Sequence, residues 1–184
     1  MKIKQQPSPV LFPLPTVLVT SVSKDGIINV ATIAWTGVLC SEPPMVGIGV
    51  RPSRHTYKYL QETMEFVINI PQADYLQQTD QCGIISGEKE DKFSLTGFTA
   101  EQADIVKAPL IKECPVNVEC VVKQILPLGT HDFFVAEVVA VHVDDSILDE
   151  NGRIDSLKAN PIAYLASGYN SLKEQIGRYG FSKK

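Results

Sequence analysis

The chain has 184 residues, 44% of them hydrophobic and 21% charged, which excludes wholesale disorder or a fibrous repeat and suits one domain with a substantial core. A formal charge of −4 argues against a duplex-binding surface, which needs a local excess of Lys and Arg, but leaves room for a local basic pocket. No apolar run reaches the length of a membrane span, and Cys40, Cys82, Cys114 and Cys120 form neither a CxxC pair nor a zinc-ligand cluster, so they read as free thiols in a reducing cytoplasm.

Residues 1–15 carry four prolines and no continuous apolar stretch, so they do not read as a signal peptide. A β-branched run at residues 17–22, turn chemistry at Lys24-Asp25-Gly26 and an apolar stretch at residues 27–35 predict a hairpin. Ser41-Glu42-Pro43-Pro44 breaks the chain before a glycine-rich strand at residues 45–50. Residues 53–63 have the polar start and apolar spacing of a short helix, residues 65–70 read as a strand, and residues 74–82 are weakly helical. Residues 83–92, polar with two glycines, predict a mobile loop.

Residues 116–126 alternate through Val116, Val118, Cys120 and Val122, while residues 133–143 are apolar at both parities and predict a strand buried on both sides. Acidic residues 144–155 contain the turn Glu150-Asn151-Gly152, and the stretch from Pro161 holds Tyr164, Tyr169 and a short amphipathic helix around residues 172–176. No linker or repeat interrupts the chain, so residues 1–184 read as a single, mainly β domain: a small barrel with a few short helices. A doubly wound α/β sheet fits poorly, because strand and helix periods do not alternate and no G-x-G-x-x-G follows a strand.

The absence of G-x-S-x-G and of a P-loop sets aside an acyl-transfer triad and nucleotide-triphosphate chemistry. Three dispersed histidines without HxH or HExxH predict no metal site, and His142 reads as a satisfied structural residue. Four segments suit an anionic, planar ligand. Arg51-Pro52-Ser53-Arg54-His55-Thr56 opens a helix, where unpaired N–H groups and the dipole favour a phosphate, although an ordinary Ser53 cap with solvated arginines explains the same residues. Lys92 ends the polar loop as a further cation or as a solvated side chain. Gly129-Thr130-His131-Asp132 sits at the turn between the two long strands, where a barrel presents side chains at its mouth. Asn29-Val30-Ala31-Thr32-Ile33-Ala34-Trp35 alternates small residues with aliphatics, which suits a flat ring against backbone and equally suits plain core.

In order and spacing, these segments resemble the flavin reductase-like family with the FMN-binding split barrel, and the flavoredoxin type within it. The resemblance runs through Pro13-Leu14-Pro15, Asp25-Gly26, Asn29 to Trp35, Ser41-Glu42-Pro43-Pro44, Ser53-Arg54-His55-Thr56, Cys82-Gly83, Ser86-Gly87, Asp91-Lys92-Phe93 and His131. It implies a mainly β split barrel holding non-covalent FMN, with NADH or NADPH as a candidate reductant, and a homodimer. By resemblance, Asn29, Ala31, Thr32, Ala34 and Trp35 line the flavin with Cys40 and Ser41; Ser53, Arg54, Thr56 and Lys92 take the phosphate; His131 lies at the flavin as the catalytic candidate; and Tyr164 adds an aromatic contact. The implied function is an FMN-dependent oxidoreductase. A protein-to-protein electron carrier, or a non-catalytic domain for flavin, deazaflavin or haem, is the alternative.

Overall fold

A computed structural model describes residues 1–183. Strands β1 (Leu14–Pro15) and β2 (Val17–Val22) lead through a turn, with Gly26 at φ +82°, into β3 (Ile28–Ile33). Strands β4 (Thr36–Cys40) and β5 (Met45–Val50) follow, then helix α1 (His55–Thr63) and β6 (Glu65–Ile70). A 3-10 turn at Ala73–Tyr75 runs into α2 (Leu76–Ile84), and α3 (Lys92–Thr96) precedes the short pair β7 (Ala100–Glu101) and β8 (Leu110–Ile111). The long strands β9 (Val116–Pro127) and β10 (Asp132–Val143) are followed by α4 (Ser156–Ala159) and the hairpin of β11 (Ile162–Leu165) and β12 (Gly168–Ser171).

Seven strands form one antiparallel sheet in the order β3-β2-β6-β9-β10-β5-β4, while β1, β11 and β12 make a separate three-stranded sheet. The two edge strands of the large sheet, β3 and β4, are joined by Ala34 and Trp35 alone. A splice this short makes the two edges meet end to end, with β3 brought against β5, so the sheet curls into a barrel whose seam is at residues 34 and 35. The Gly49 N–H donates to the Trp35 carbonyl at 2.7 Å, extending the β4–β5 ladder into the splice.

Period-two alternation then divides the core. Val17, Val19, Ile48, Phe66 and Phe134 pack together inside the barrel, whereas Leu18 and Val30 join Cys82, Phe93 and Phe98 in an outer layer under α2 and α3. Full burial of side chains such as Phe66 and Phe134 contributes about 1.5–3 kcal/mol each, which is what makes the curl favourable.

Some expectations change. Strand β10 is not buried on both sides: Phe134 and Ala136 are buried, but Val141 is 54% exposed, because α2 and α3 pack over β2 and β3 and leave the outside of β10 bare. The amphipathic spacing at residues 172–176 produces no helix; these residues are exposed and irregular. So short a segment cannot offset the cost of nucleating a helix without a surface to pack on. Helix α1 begins at His55 with Arg54, not Ser53, at the N-cap, and the expected long loop is shortened to residues 85–91 by the ends of α2 and α3.

The buried carboxylate of Glu119 pins residues 104–106 to β9. It accepts the N–H groups of Asp104 at 2.9 Å, Ile105 at 2.7 Å and Val106 at 2.9 Å, and pairs with His142 Nε2 at 2.6 Å, giving His142 a structural partner. Asp104, Glu119 and His142 have ligand atoms within 4.8 Å of one another, but these bonds occupy the carboxylate, so the group reads as a loop clamp and not a metal centre.

Candidate functional site

A cavity of about 330 Å³ opens beside the barrel seam. One wall is the end of β3 and the splice: Ala31, Thr32 and Ala34 are half-buried, and Trp35 is 49% exposed. The hydroxyl of Thr32 is turned away to donate to the Thr79 carbonyl of α2. This leaves a wall of small side chains and backbone, as a strand must present if something flat is to lie on it.

The opposite pole is the start of α1. No side chain caps this helix; the Tyr57 N–H donates to the Arg54 carbonyl at 3.0 Å, the N–H groups of His55 and Thr56 stay available to a ligand, and the dipole favours an anion there. Ser53, Arg54, His55 and Thr56 line the cavity at this end. Thr56 is fixed from behind: its Oγ1 accepts from Asn29 Nδ2 at 2.8 Å, in the buried layer under β3.

Residues 85–91 close the third side. At Gly87 a Cβ would collide with Asn29 Oδ1 and lie 3.1 Å from the His55 ring, so only glycine allows this close approach to β3. Lys92, the first residue of α3, reaches back into the cavity and is only 6% exposed. Its Nζ donates to the Val30 carbonyl at 2.8 Å and the Cys82 carbonyl at 2.7 Å, which leaves one of three ammonium donors free. Burial lowers the Lys92 pKa, against the opposing influence of Cys82 and with that of the Arg54 charge. An anion beside it would relieve that cost.

His131 stands at the mouth. Its ring stacks on Trp35 with centroids 5.1 Å apart and an interplanar angle of 23°. Arg51 Nε donates to His131 Nε2 at 3.3 Å, and Thr130 Oγ1 lies 3.0 Å from Nδ1. Burial, and then the Arg51 charge, lower the His131 pKa, and Nε2 accepting from Arg51 is the bond an unprotonated ring nitrogen makes.

Of the residues singled out from sequence, Ala31, Thr32, Ala34, Trp35, Ser53, Arg54, Thr56, Lys92 and His131 share this cavity. Asn29 lies behind the wall as the support of Thr56. Cys40 and Ser41 are exposed at the β4–β5 turn, away from the cavity, with Cys40 Sγ donating to the Glu42 carbonyl at 3.4 Å. Tyr164 lines an adjoining cavity. Sequence reasoning missed the Arg51–His131–Trp35 arrangement, since nothing in the spacing of residues 35, 51 and 131 signals that the curled sheet brings them together.

Comparison with known proteins shows the family and the fold. Residues 10–173 match the model of the flavin reductase like domain. The chain is 31% identical to the flavoredoxin of Desulfovibrio vulgaris (Miyazaki F), whose structure superposes with a TM-score of 0.94 over 100% of both chains. It is 32% identical to the flavoredoxin from Methanosarcina acetivorans, with a TM-score of 0.91 over 100% of this chain and 98% of that one. An uncharacterized protein of Archaeoglobus fulgidus is 36% identical over 140 residues, 76% of this chain and 77% of its own length.

Proposed function

Since the chain belongs to the flavin reductase-like family, we propose that it is an oxidoreductase that holds FMN non-covalently in the cavity at the barrel seam. The observation that carries this reading is the meeting, in one cavity, of a wall of small residues with a cationic pole at Arg54 and Lys92. The residues suit such a group: a buried ammonium with a donor to spare and an uncapped helix start both call for a phosphate. FMN, when bound, supplies two-electron and one-electron transfer, which the side chains here lack.

In this reading Ser53, Arg54 and Thr56 bind the phosphate with Lys92, and Ala31, Thr32 and Ala34 give the ring a flat seat. Trp35 and His131 cover the mouth and limit water. His131, held at both ring nitrogens by Arg51 and Thr130 and stacked on Trp35, would shape the mouth against the flavin as an aromatic surface. Titration of the flavin-free protein with FMN is the test. Micromolar affinity, about −8 kcal/mol, is expected, and a chain that takes up no FMN at that concentration defeats the reading.

The two flavoredoxins that match along the whole chain favour a second reading, in which protein partners supply and remove the electrons. The net charge of −4 suits a basic partner. Anaerobic mixing decides: rapid bleaching by NADH or NADPH supports the reductase, and bleaching only by a reduced iron–sulfur protein supports the carrier.

The edge strand β4 exposes Val38 at 80% and Leu39 at 47%, an apolar sheet edge of the kind proteins cover, and this supports a homodimer. Light scattering that gives the monomer mass at every concentration would count against it. No helix among the described residues is long and apolar enough to cross a membrane, and the four free cysteines suit a reducing cytoplasm, the compartment we assign.

A further inference from the structure

Residues 51–57 lead from the end of β5 into α1 and fold back on themselves twice. The Arg54 N–H donates to the Arg51 carbonyl at 2.9 Å, and the Tyr57 N–H donates to the Arg54 carbonyl at 3.0 Å. Pro52 fixes its own φ within this arc. Ser53, Arg54 and Thr56, which line the cavity, lie in the middle of it.

Both ends of the arc are bonded to one place, the corner between β9 and β10. At one end Arg51 Nε donates to His131 Nε2 at 3.3 Å, and at the other Tyr57 Oη donates to Asp132 Oδ2 at 2.5 Å. The two bonds serve different faces. His131 lines the cavity, whereas the Tyr57 ring meets that of Phe134, in the barrel core, edge-on with centroids 5.5 Å apart.

The Tyr57 hydroxyl has no choice of role, since it accepts from Gln61 Nε2 at 3.0 Å and its single proton goes to Asp132. The Asp132 bond, then burial and the Asp132 charge, raise the Tyr57 pKa, so the phenol stays a donor. Asp132 is itself fixed by the sheet, opposite Val50 on β5 and Pro127 on β9, and the Leu128 N–H closes the corner by donating to the His131 carbonyl at 3.0 Å. From the other side Asn29 on β3 holds Thr56. The start of α1 is therefore slung between β3 and β10.

We propose that Tyr57 and Asp132 are positioning residues of the flavin site, whose hydrogen bond, together with that of Arg51 and His131, brackets the phosphate-binding arc against the corner carrying His131 and so selects FMN over a flavin without a phosphate. This rests on the flavin reading above. A ligand that engages only the mouth is indifferent to where the arc stands. One that spans mouth and arc binds more tightly when the distance between them is set before it arrives, because less has to be ordered on binding.

The test compares FMN with riboflavin, the same ring without the phosphate, titrated into the flavin-free chain and its variants and followed by fluorescence. Tyr57→Phe keeps the ring against Phe134 and removes only the hydroxyl. It should weaken FMN binding about fivefold, the value of one hydrogen bond, and leave riboflavin within about twofold. Asp132→Ala should do the same, and the double variant should lose no more than either single, because both break one bond. Asp132→Asn keeps an acceptor for the phenol and should hold FMN binding within about twofold of the unaltered chain. Equal losses for FMN and riboflavin, as a general loosening of the fold would give, overturn the proposal, and so do unchanged FMN affinity or losses that multiply in the double variant. Tyr57→Phe and Asp132→Ala break the bond from opposite ends, so either one that folds, judged by its urea midpoint, decides.

Inorganic phosphate, followed by NMR in the flavin-free chain, tests the bracket without flavin. It should move the amide signals of His55 and Thr56 and the ring signals of His131 with one midpoint, and the His131 response should fall by about half or more in Tyr57→Phe. No phosphate response, or a His131 response unaltered in the variant, overturns the bracket. A chain that takes up no FMN yet shows this phosphate response defeats the flavin reading alone and leaves the bracket standing.

Discussion

Glu119 on β9 and Lys92 at the start of α3 are both withdrawn from water, at 0% and 6% exposure, but their surroundings differ. Glu119 accepts three backbone N–H groups and pairs with His142, so its hydrogen-bonding capacity is spent inside the protein. Lys92 is held by two carbonyls and keeps one donor facing a cavity. A buried charge with a complete set of partners serves the fold, whereas one left short beside open space is prepared for a partner from outside.

The most severe way to break this contrast is Glu119→Gln, in which an amide N–H₂ is placed against backbone donors. A stability loss of about 3 kcal/mol or more is expected in urea denaturation, with FMN uptake per folded molecule unchanged. Burial opposes ionisation of Glu119, but the His142 bond and the three amides outweigh it and hold the carboxyl below its ordinary range. Because the folded value is the lower one, this contribution to stability is complete above the ordinary glutamate range and is lost as pH falls through the lowered value. The urea midpoint should therefore fall on acidification, and the variant should show a flatter acid limb.

Lys92→Met should reverse the pattern, with FMN affinity falling by roughly 1.5–3 kcal/mol in calorimetric titration and stability falling less than in Glu119→Gln. Equal losses in both variants would erase the distinction between the two charges. His131→Ala should act more gently on binding, by less than about 1 kcal/mol. Its larger effect is expected on reduction potential or on the rate of flavin reduction, and a pure affinity loss would demote His131 to a packing residue.

The smallest effect extends the contrast to thiols. Burial pushes Cys82 up to about 11 and Cys120 up to about 12, and raises Cys114 as well, while Cys40 is exposed. Native protein should react with one equivalent of a disulfide reagent, at Cys40, and release the other three thiols only on unfolding.

The strands with a clean apolar pattern and a turn on each side, β2, β5 and β6, were legible in the sequence because each step of the alternation has a packed face to answer it. Strand β4 was not, since Gly37, Val38 and Leu39 are exposed and no burial imprints a period on them. The pattern of β10 overstated its burial, because an apolar residue says nothing about whether a helix of the same chain covers it. For the site, residues 31–35 and 53–56 were legible as short motifs. Their meeting was not, because it depends on the closure of the sheet, and the pairing of Tyr57 with Asp132 gave no local signal for the same reason.

The splice of Ala34 and Trp35 imposes a rule of length. One residue inserted there would shift β4 a step along β5, exchange the faces of Val38 and Leu39, and break the tie between Trp35 and Gly49. Side chains at these positions can be exchanged, but the residue count is a clasp that holds the sheet shut. Insertions should be tolerated far from it, in the exposed turn at residues 150–154 or in the exposed stretch at residues 172–183.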